Sequence, residues 1–347
     1  MPRGSAPQEP AGSLRTNRAN VRPVSALSLP ARFARHVEEA GLFAGARTLV
    51  VAHSGGGDST ALLLLAATWA SARGVAVMST HVAHGLRGEA GDEDARFCAR
   101  LAATLSVRFT LHSVDVPSGR RKGESLEAAA RRLRYAALLA LSHSLGDAPV
   151  LTGHTRDDQA ETVLLHLERR LGRARGGIRP RRDDGVVRPL LPFSRAELRE
   201  FLVEGGVPFR EDETNENEGF ARNRIRRTVL PEMERKYPGV SERLARAGGE
   251  WGRRLDALDE RLDQKLALER ISLKGPWPRR LFHALSVEEA GRLLVRAAGA
   301  GGRVPGKAQV KKVLTRLLRG DATFGEEFAG GRIEADPRFV RLVPGLR

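Results

Sequence analysis

The spacing of apolar side chains changes period several times along the chain, and each change marks an expected element. Phe33, Val37 and Leu42 stand at helix-like intervals before a glycine-bounded turn, so order is expected to begin near Ala31. Thr48 to Ala52 is a short β-branched and apolar run that ends in Ser54-Gly55-Gly56-Gly57-Asp58-Ser59 and gives way to a helical stretch from Thr60 to Ala72. Val75 to Val82 and Val107 to Val114 repeat the strand pattern, Pro149 to Thr152 forms a shorter apolar run, and Asp92 to Leu105, Ser125 to Leu145 and the segment from Arg156 onward read as helices. Strands alternating with helices in this way predict an α/β fold built on a doubly wound parallel sheet.

Further along the pattern alters. Arg169 to Arg188 is rich in Arg and Gly without periodicity and reads as a mobile basic loop, after which Arg195 to Gly205 returns to helix. From about Val240 the chain favours long amphipathic helices, with Leu244, Trp251, Leu255, Leu258 and Leu262 on one face. Phe324 to Val343 is broken by glycines into short strands, as expected of a small α+β cap. The pattern divides the chain into a basic tail over 1–28 without apolar periodicity, an α/β domain over 29–235 and a helical and α+β region over 240–347.

Composition narrows the possible functions. The chain has 347 residues and a formal net charge of +16, which favours a polyanionic partner such as nucleic acid, the alternative being that the Arg-rich excess reflects base composition. Cys98 is the single cysteine, so the chain alone can build neither a disulfide nor a cysteine metal cluster, and a reducing cytoplasm is the expected compartment. No run approaches the roughly 18 apolar residues that span a bilayer, so no membrane partner is expected. Oligomeric state, a homodimer included, is not legible.

The strand-loop-helix setting of Ser54 to Ser59 exposes backbone N–H groups at a positive helix end, where phosphate oxygens can be cradled. Asp58 and Ser59 then stand where a metal on those phosphates would meet hard oxygen ligands. The alternative is an ordinary glycine turn with an Asp helix cap. The Gly-Lys-Ser/Thr ending of Walker-type loops is absent, which argues against kinase or motor chemistry. Ser-Gly-Gly-Gly-Asp-Ser after a first strand resembles instead the loop of the PP-loop ATP pyrophosphatases, of Rossmann-like fold. Those enzymes cleave ATP to AMP and pyrophosphate while adenylating a substrate oxygen. The resemblance implies that Ser54, Gly55, Gly56, Gly57, Asp58 and Ser59 bind ATP, with Mg²⁺ on Asp58 and Asp158.

A second motif, Thr152-Gly153-His154-Thr155-Arg156-Asp157-Asp158-Gln159-Ala160-Glu161-Thr162, opens an expected helix. Asp157 and Glu161 are four apart and share a face, with Asp158 one step round. Such acids either stabilise the helix dipole or bind a metal or an ammonium group. With Val82-Ala83-His84-Gly85-Leu86-Arg87, Ser125 to Arg131, Arg134-Tyr135, Asp212-Glu213-Thr214-Asn215, Arg222 to Arg226 and Leu230-Pro231, this motif resembles the tRNA(Ile)-lysidine synthetases. That family joins free L-lysine to C2 of the wobble cytidine in the tRNA(Ile) with a CAU anticodon. The resemblance implies a catalytic set of Asp58, Arg131, Asp157 and Asp158, with Arg131 as the cation for the lysine carboxylate. It also implies substrate contacts at Glu161, Arg222, Asn223 and Arg226. Basic groups over 169–182 and 222–227 are expected to meet tRNA phosphates.

Thr155 stands where the family often has a second His, and the stretch from Arg169 to Gly177 departs from its usual Arg-Gly-Ser-Gly run. The competing enzymatic reading is a tRNA thiolase of the same superfamily, which the lone Cys98 disfavours because thiolases rely on clustered cysteines. The competing non-enzymatic reading is an RNA-binding module that kept the fold without the chemistry. Retention of Asp58, Asp157 and Asp158 argues against it.

Overall fold

The computed structural model describes residues 28–85, 89–168, 176–210, 220–299, 305–329 and 331–344. Leu86, Arg87, most of the basic tail, the first part of the 169–188 stretch and the Asp212 to Asn215 motif lie outside the described residues.

The first half is a five-stranded parallel sheet of order β3-β2-β1-β4-β5, made of β1 (Thr48–Ala52), β2 (Ala76–Ala83), β3 (Arg108–Ser113), β4 (Val150–Leu151) and β5 (Val186–Val187). The helices joined to it are α1 (Leu29–Glu39), α2 (Gly57–Ser71), α3 (Glu89–Thr104), the short α4 (Val116–Gly119), α5 (Leu126–Ser144), α6 (Arg156–Glu168) and α7 (Arg195–Glu204). Period-two alternation assigns each strand residue to one of two cores. Leu49, Val51, Leu151 and Val187 pack with α1, α2 and α7, whereas Val50, Val150 and Val186 pack with α5. The strand order reverses direction between β1 and β4, so the crevice at their carboxyl ends is where a doubly wound sheet binds ligands.

Two expectations are corrected. The helix after the glycine loop starts at Gly57 rather than Thr60, because Gly56 takes an extended cap conformation and the last loop residues already form the first turn. The stretch ending at Arg188 is not wholly loop, since it contains β5, whose two valines are fully buried. A two-residue strand leaves no period to read. Arg179, Arg181 and Arg182, expected to meet phosphates, are partly or fully exposed and reach Asp256, the Leu42 carbonyl and Asp184 respectively.

Beyond the sheet, a continuous helical rod runs through α8 (Phe220–Arg224), a π-helical turn (Ile225–Val229) and α9 (Leu230–Lys236) before the 29-residue α10 (Val240–Leu268). Helix α10 serves both halves. Its early residues lie on α6, where a Cβ at Gly248 would come within 2.6 Å of Val163. Its late residues Leu262 and Leu266 enter a separate core with Trp277, Phe282, Leu293, Leu317 and Phe328. That core joins α11 (Arg279–Ala284), α12 (Val287–Gly299) and α13 (Lys307–Arg319) to a four-stranded antiparallel sheet of order β6-β9-β8-β7. Its strands are β6 (Trp277–Pro278), β7 (Phe324–Phe328), β8 (Gly331–Ala335) and β9 (Phe339–Pro344).

Candidate functional site

The glycine loop is tied at both ends. The Ser54 amide donates to Ser59 Oγ at 3.2 Å, Ser59 Oγ donates to the Gly56 carbonyl at 2.9 Å, and Thr60 Oγ1 donates to the Gly55 carbonyl at 3.2 Å. Gly55 has φ +91°, where a side chain would be strained and would meet Phe97 at 3.3 Å. From the other side of the crevice Gly153 approaches so closely that a Cβ there would lie 3.2 Å from the Ser59 amide nitrogen. The loop therefore keeps its amides at the start of α2 in a fixed concave arrangement suited to phosphate.

Facing it is a cluster of four carboxylates and three guanidinium groups. Asp58 comes from the first turn of α2, Asp157, Asp158 and Glu161 from α6, Arg195 from the start of α7, and Arg222 and Arg226 from the rod. Arg195 is the hub. It donates to Asp58 Oδ2 at 3.3 Å through Nε, to Glu161 Oε1 at 2.7 Å through Nη1, and to Asp158 through Nη2. Its own backbone N–H donates to Asp157 Oδ2 at 2.9 Å, so Asp157 fastens the helix that carries the hub. Glu161, whose side chain is 0% exposed, also accepts from Arg222 at 3.1 Å and from Arg226 at 2.8 Å. Asp158 lies 3.3 Å from Arg222.

The charges respond to these neighbours. Burial alone would raise the Asp158 and Glu161 carboxyls, but for Asp158 the Arg195 charge and the Thr155 N–H, and for Glu161 the Arg226 hydrogen bonds and the Arg195 charge, hold both below the usual carboxylate range. Asp58 moves the other way, to about 6, because burial and the neighbouring Asp158 and Asp157 outweigh the attraction of Arg195. Four acids against three arginines leave the cluster one cation short, and Asp58 is the acid that takes up a proton first as pH falls. Burial also pushes His154 down to about 3, so it is a neutral ring whose Nδ1 lies 3.0 Å from Thr152 Oγ1.

The structure thus unites Asp58, Asp157, Asp158, Glu161, Arg222 and Arg226. Arg131 is not among them: it is exposed on α5 with its guanidinium carbon 5.1 Å from the Tyr135 ring centre, and its charge reaches His154 in the loop after β4. Asn223 is half-buried between the arginines of α8. Thr155 proves to be a support, because its N–H and its hydroxyl donate to Asp158 Oδ2 at 2.8 and 3.0 Å. Arg195 went unrecognised in the sequence, though a signal was present. Ser194 is an N-cap with Glu197 completing a capping box, and an arginine directly after such a cap puts a cation at the positive end of a helix.

Among the described residues, no group of three or more His, Cys, Asp or Glu side chains could hold a metal by itself. Asp58 and Asp158 nevertheless present hard oxygens to one common point, now bridged by Arg195. That donor set fits Mg²⁺, which is commonly bound through one or two carboxylates and substrate phosphates.

A parallel sheet with a glycine phosphate loop at its switch point defines a nucleotide-binding α/β protein. Residues 28–233 match the model of the ATP-binding PP-loop domain. The chain belongs to that family. It is 38% identical over 298 residues to a tRNA(Ile)-lysidine synthase from Alkalilimnicola ehrlichii, covering 84% of this chain and 64% of that protein. It is 44% identical over 199 residues to a tRNA(Ile)-lysidine synthase from Thermus thermophilus, covering 57% and 38% respectively. The chain therefore spans less than two thirds of the length of these relatives. A solved U34-tRNA thiolase from Methanococcus maripaludis, with its [4Fe-4S] cluster, shares the fold at a TM-score of 0.53 and 14% identity, over 65% of this chain and 79% of that one.

Proposed function

We propose that the chain ligates L-lysine to C2 of the wobble cytidine of the tRNA(Ile) with a CAU anticodon, using ATP and releasing AMP and pyrophosphate. The observation that carries the reading is the convergence of the Ser54 to Ser59 loop and the α6 acids on one crevice, in a chain similar to tRNA(Ile)-lysidine synthases over most of its length. The loop amides and the start of α2 receive the pyrophosphate portion of ATP. Asp58 and Asp158 would hold Mg²⁺, which when bound neutralises charge on the phosphates. The cytidine C2 oxygen attacks the α-phosphate, pyrophosphate leaves, and the lysine ε-amine then displaces AMP from C2. Free lysine needs a cation for its carboxylate, a role given to Arg131, and acids for its two amino groups, a role given to Asp157 and Asp158. An acid beside the ε-amine can accept its proton during the attack.

Thiolation is the less favoured reading. Cys98 is buried, and burial together with Asp94 pushes its thiol up to about 12, so it supplies no ready thiolate. The deciding measurement is incorporation of radiolabelled lysine into purified tRNA with ATP and Mg²⁺, followed by nucleoside analysis. Label at a wobble cytidine establishes the reaction, whereas AMP release without lysine transfer leaves only the ATP chemistry. Asp58→Ala is expected to abolish AMP formation, and unchanged turnover in that variant removes the proposed site.

A further inference from the structure

The three acids that meet Arg195 come from two different helices, yet they meet on its guanidinium rather than on one another. We infer that Arg195 is the built-in counterion of a cation subsite: its guanidinium closes the Asp58–Asp158–Glu161 cluster when no ligand cation is present and gives way to the ligand's cation when one enters. The inference rests on the functional reading above, in which that cation is Mg²⁺ or a substrate ammonium group.

Several observations distinguish a displaceable counterion from a fixed strut. Arg195 occupies the first position of α7, where the helix dipole repels a cation, so the acids alone hold it there. Its side chain is 29% exposed and that of Asp58 31%, so the group has a path out and a ligand has a path in. The partners left behind are unequally provided for. Glu161 keeps Arg222 at 3.1 Å and Arg226 at 2.8 Å, and Asp158 keeps Arg222 at 3.3 Å and Arg226 at 3.5 Å. Asp58 forms its ion pair with Arg195. Withdrawal of Arg195 thus uncovers Asp58 and one edge of Asp158, while the deeper Glu161 stays neutralised. This makes Arg195 a positioning residue that sets cation affinity, and the cluster stays closed and folded between turnovers.

The test is to titrate the full chain with Mn²⁺, without nucleotide, following the free ion by electron paramagnetic resonance. Because the ligand ion competes with a tethered cation, Arg195→Gln is expected to bind Mn²⁺ about tenfold more tightly than the parent, a difference of about 1.4 kcal/mol. Arg195→Lys, with one contact in place of three, should lie between. Arg226→Gln, which removes the bonds to Glu161 and the longer 3.5 Å approach to Asp158 but leaves the Asp58–Arg195 pair in place, should change the affinity less than Arg195→Gln. A parallel equilibrium dialysis with L-lysine reports whether an ammonium group gains in the same way, and a gain for Mn²⁺ alone assigns the subsite to the metal. Equal or weaker Mn²⁺ binding by Arg195→Gln, with an unchanged circular dichroism spectrum, would overturn the inference and make Arg195 a strut. If the Gln variant does not fold, the Lys variant decides by the same criterion. Loss of lysine incorporation into tRNA bears on the reaction alone, so tighter Mn²⁺ binding with no lysidine formed would retain the subsite and discard the reaction.

Discussion

The two halves of the molecule use charge in opposite ways. In the sheet half, seven charged side chains from α2, α6, α7 and the rod are drawn into one cluster around the buried Glu161. In the C-terminal half, smaller groups of ion pairs lie around an apolar core and fasten α10 to α12: Asp259 accepts two bonds from Arg292 at 2.7 and 2.6 Å and lies 3.3 Å from Arg179 and 3.6 Å from Arg296, Asp263 meets Arg296 at 2.9 Å, and Glu289 meets Lys265 at 2.8 Å. A dispersed pair can be exchanged for apolar contact at little loss. Removing one member of a converging cluster is different, because it leaves the remaining buried charges uncompensated, and clustered charge of this kind in a crevice marks a place where a ligand can be met.

The comparison predicts very unequal costs for removing a single carboxylate. Glu161→Gln leaves three guanidinium groups around a neutral amide at the deepest point of the cluster, where the Glu161 side chain is 0% exposed, and is expected to destabilise the protein by about 3–5 kcal/mol. Urea unfolding at neutral pH measures it. A loss under 1 kcal/mol would mean that the cluster is looser than the ion-pair distances imply.

The second prediction concerns the junction between the halves. Gly248→Ala puts a methyl group within 2.6 Å of Val163 and 3.3 Å of Gln159, on the face where α10 meets α6. The overlap should cost about 1–3 kcal/mol. It should also slow AMP formation, because Asp158 and Glu161 ride on the displaced helix. A stability loss with full activity would show that the two halves are coupled only mechanically.

Much of this organisation was legible in the sequence. The sheet, its glycine loop and the α6 motif were readable because β1 and β2 are long enough to show a period and because the acids lie within one helical turn. What was not readable required contacts between distant segments. Residues 156–161 and 195 are brought together only when β5 completes the sheet, and β5 is two residues long. The long helix that follows residue 235 shows why pattern alone gives no sign of how the two regions are joined: α10 is one amphipathic pattern whose glycine at 248 fits close packing against α6, while its leucines at 262 and 266 serve the other core. For Arg222 and Arg226 the sequence displays the charge but not the acids they face, Glu161 and Asp158.

A third prediction uses the one cluster member with an upward shift. The folded state holds the Asp58 proton more tightly than the unfolded chain does, with its carboxyl at about 6 against an ordinary 3.8. The sign follows: this group favours folding at low pH, and its contribution is lost as pH rises from the unfolded value through about 6. In metal-free buffer Asp58→Asn should therefore gain stability relative to the parent over that interval and stay level above it. After allowance for solvent at a partly open side chain, the gain is about 1–2 kcal/mol. Urea midpoints at a series of pH values check it, and a gain at the acid end would reverse the assignment.

The smallest expected effect completes the contrast. Glu288 meets Arg254 at 3.0 Å between α10 and α12, the same pair of helices that the better buried Asp259 joins, but the two side chains are 62% and 71% exposed. Water screens the attraction, and holding two long side chains in one geometry costs rotamer entropy, so Glu288→Gln should change stability by less than about 0.5 kcal/mol. Asp259→Asn in the same helix pair should cost clearly more, because its partner Arg292 is only 15% exposed and binds it through two nitrogens. Equal losses from the two changes would mean that exposure does not govern the worth of a pair in this half, and the distinction between dispersed fasteners and a ligand-facing cluster would then rest on connectivity alone.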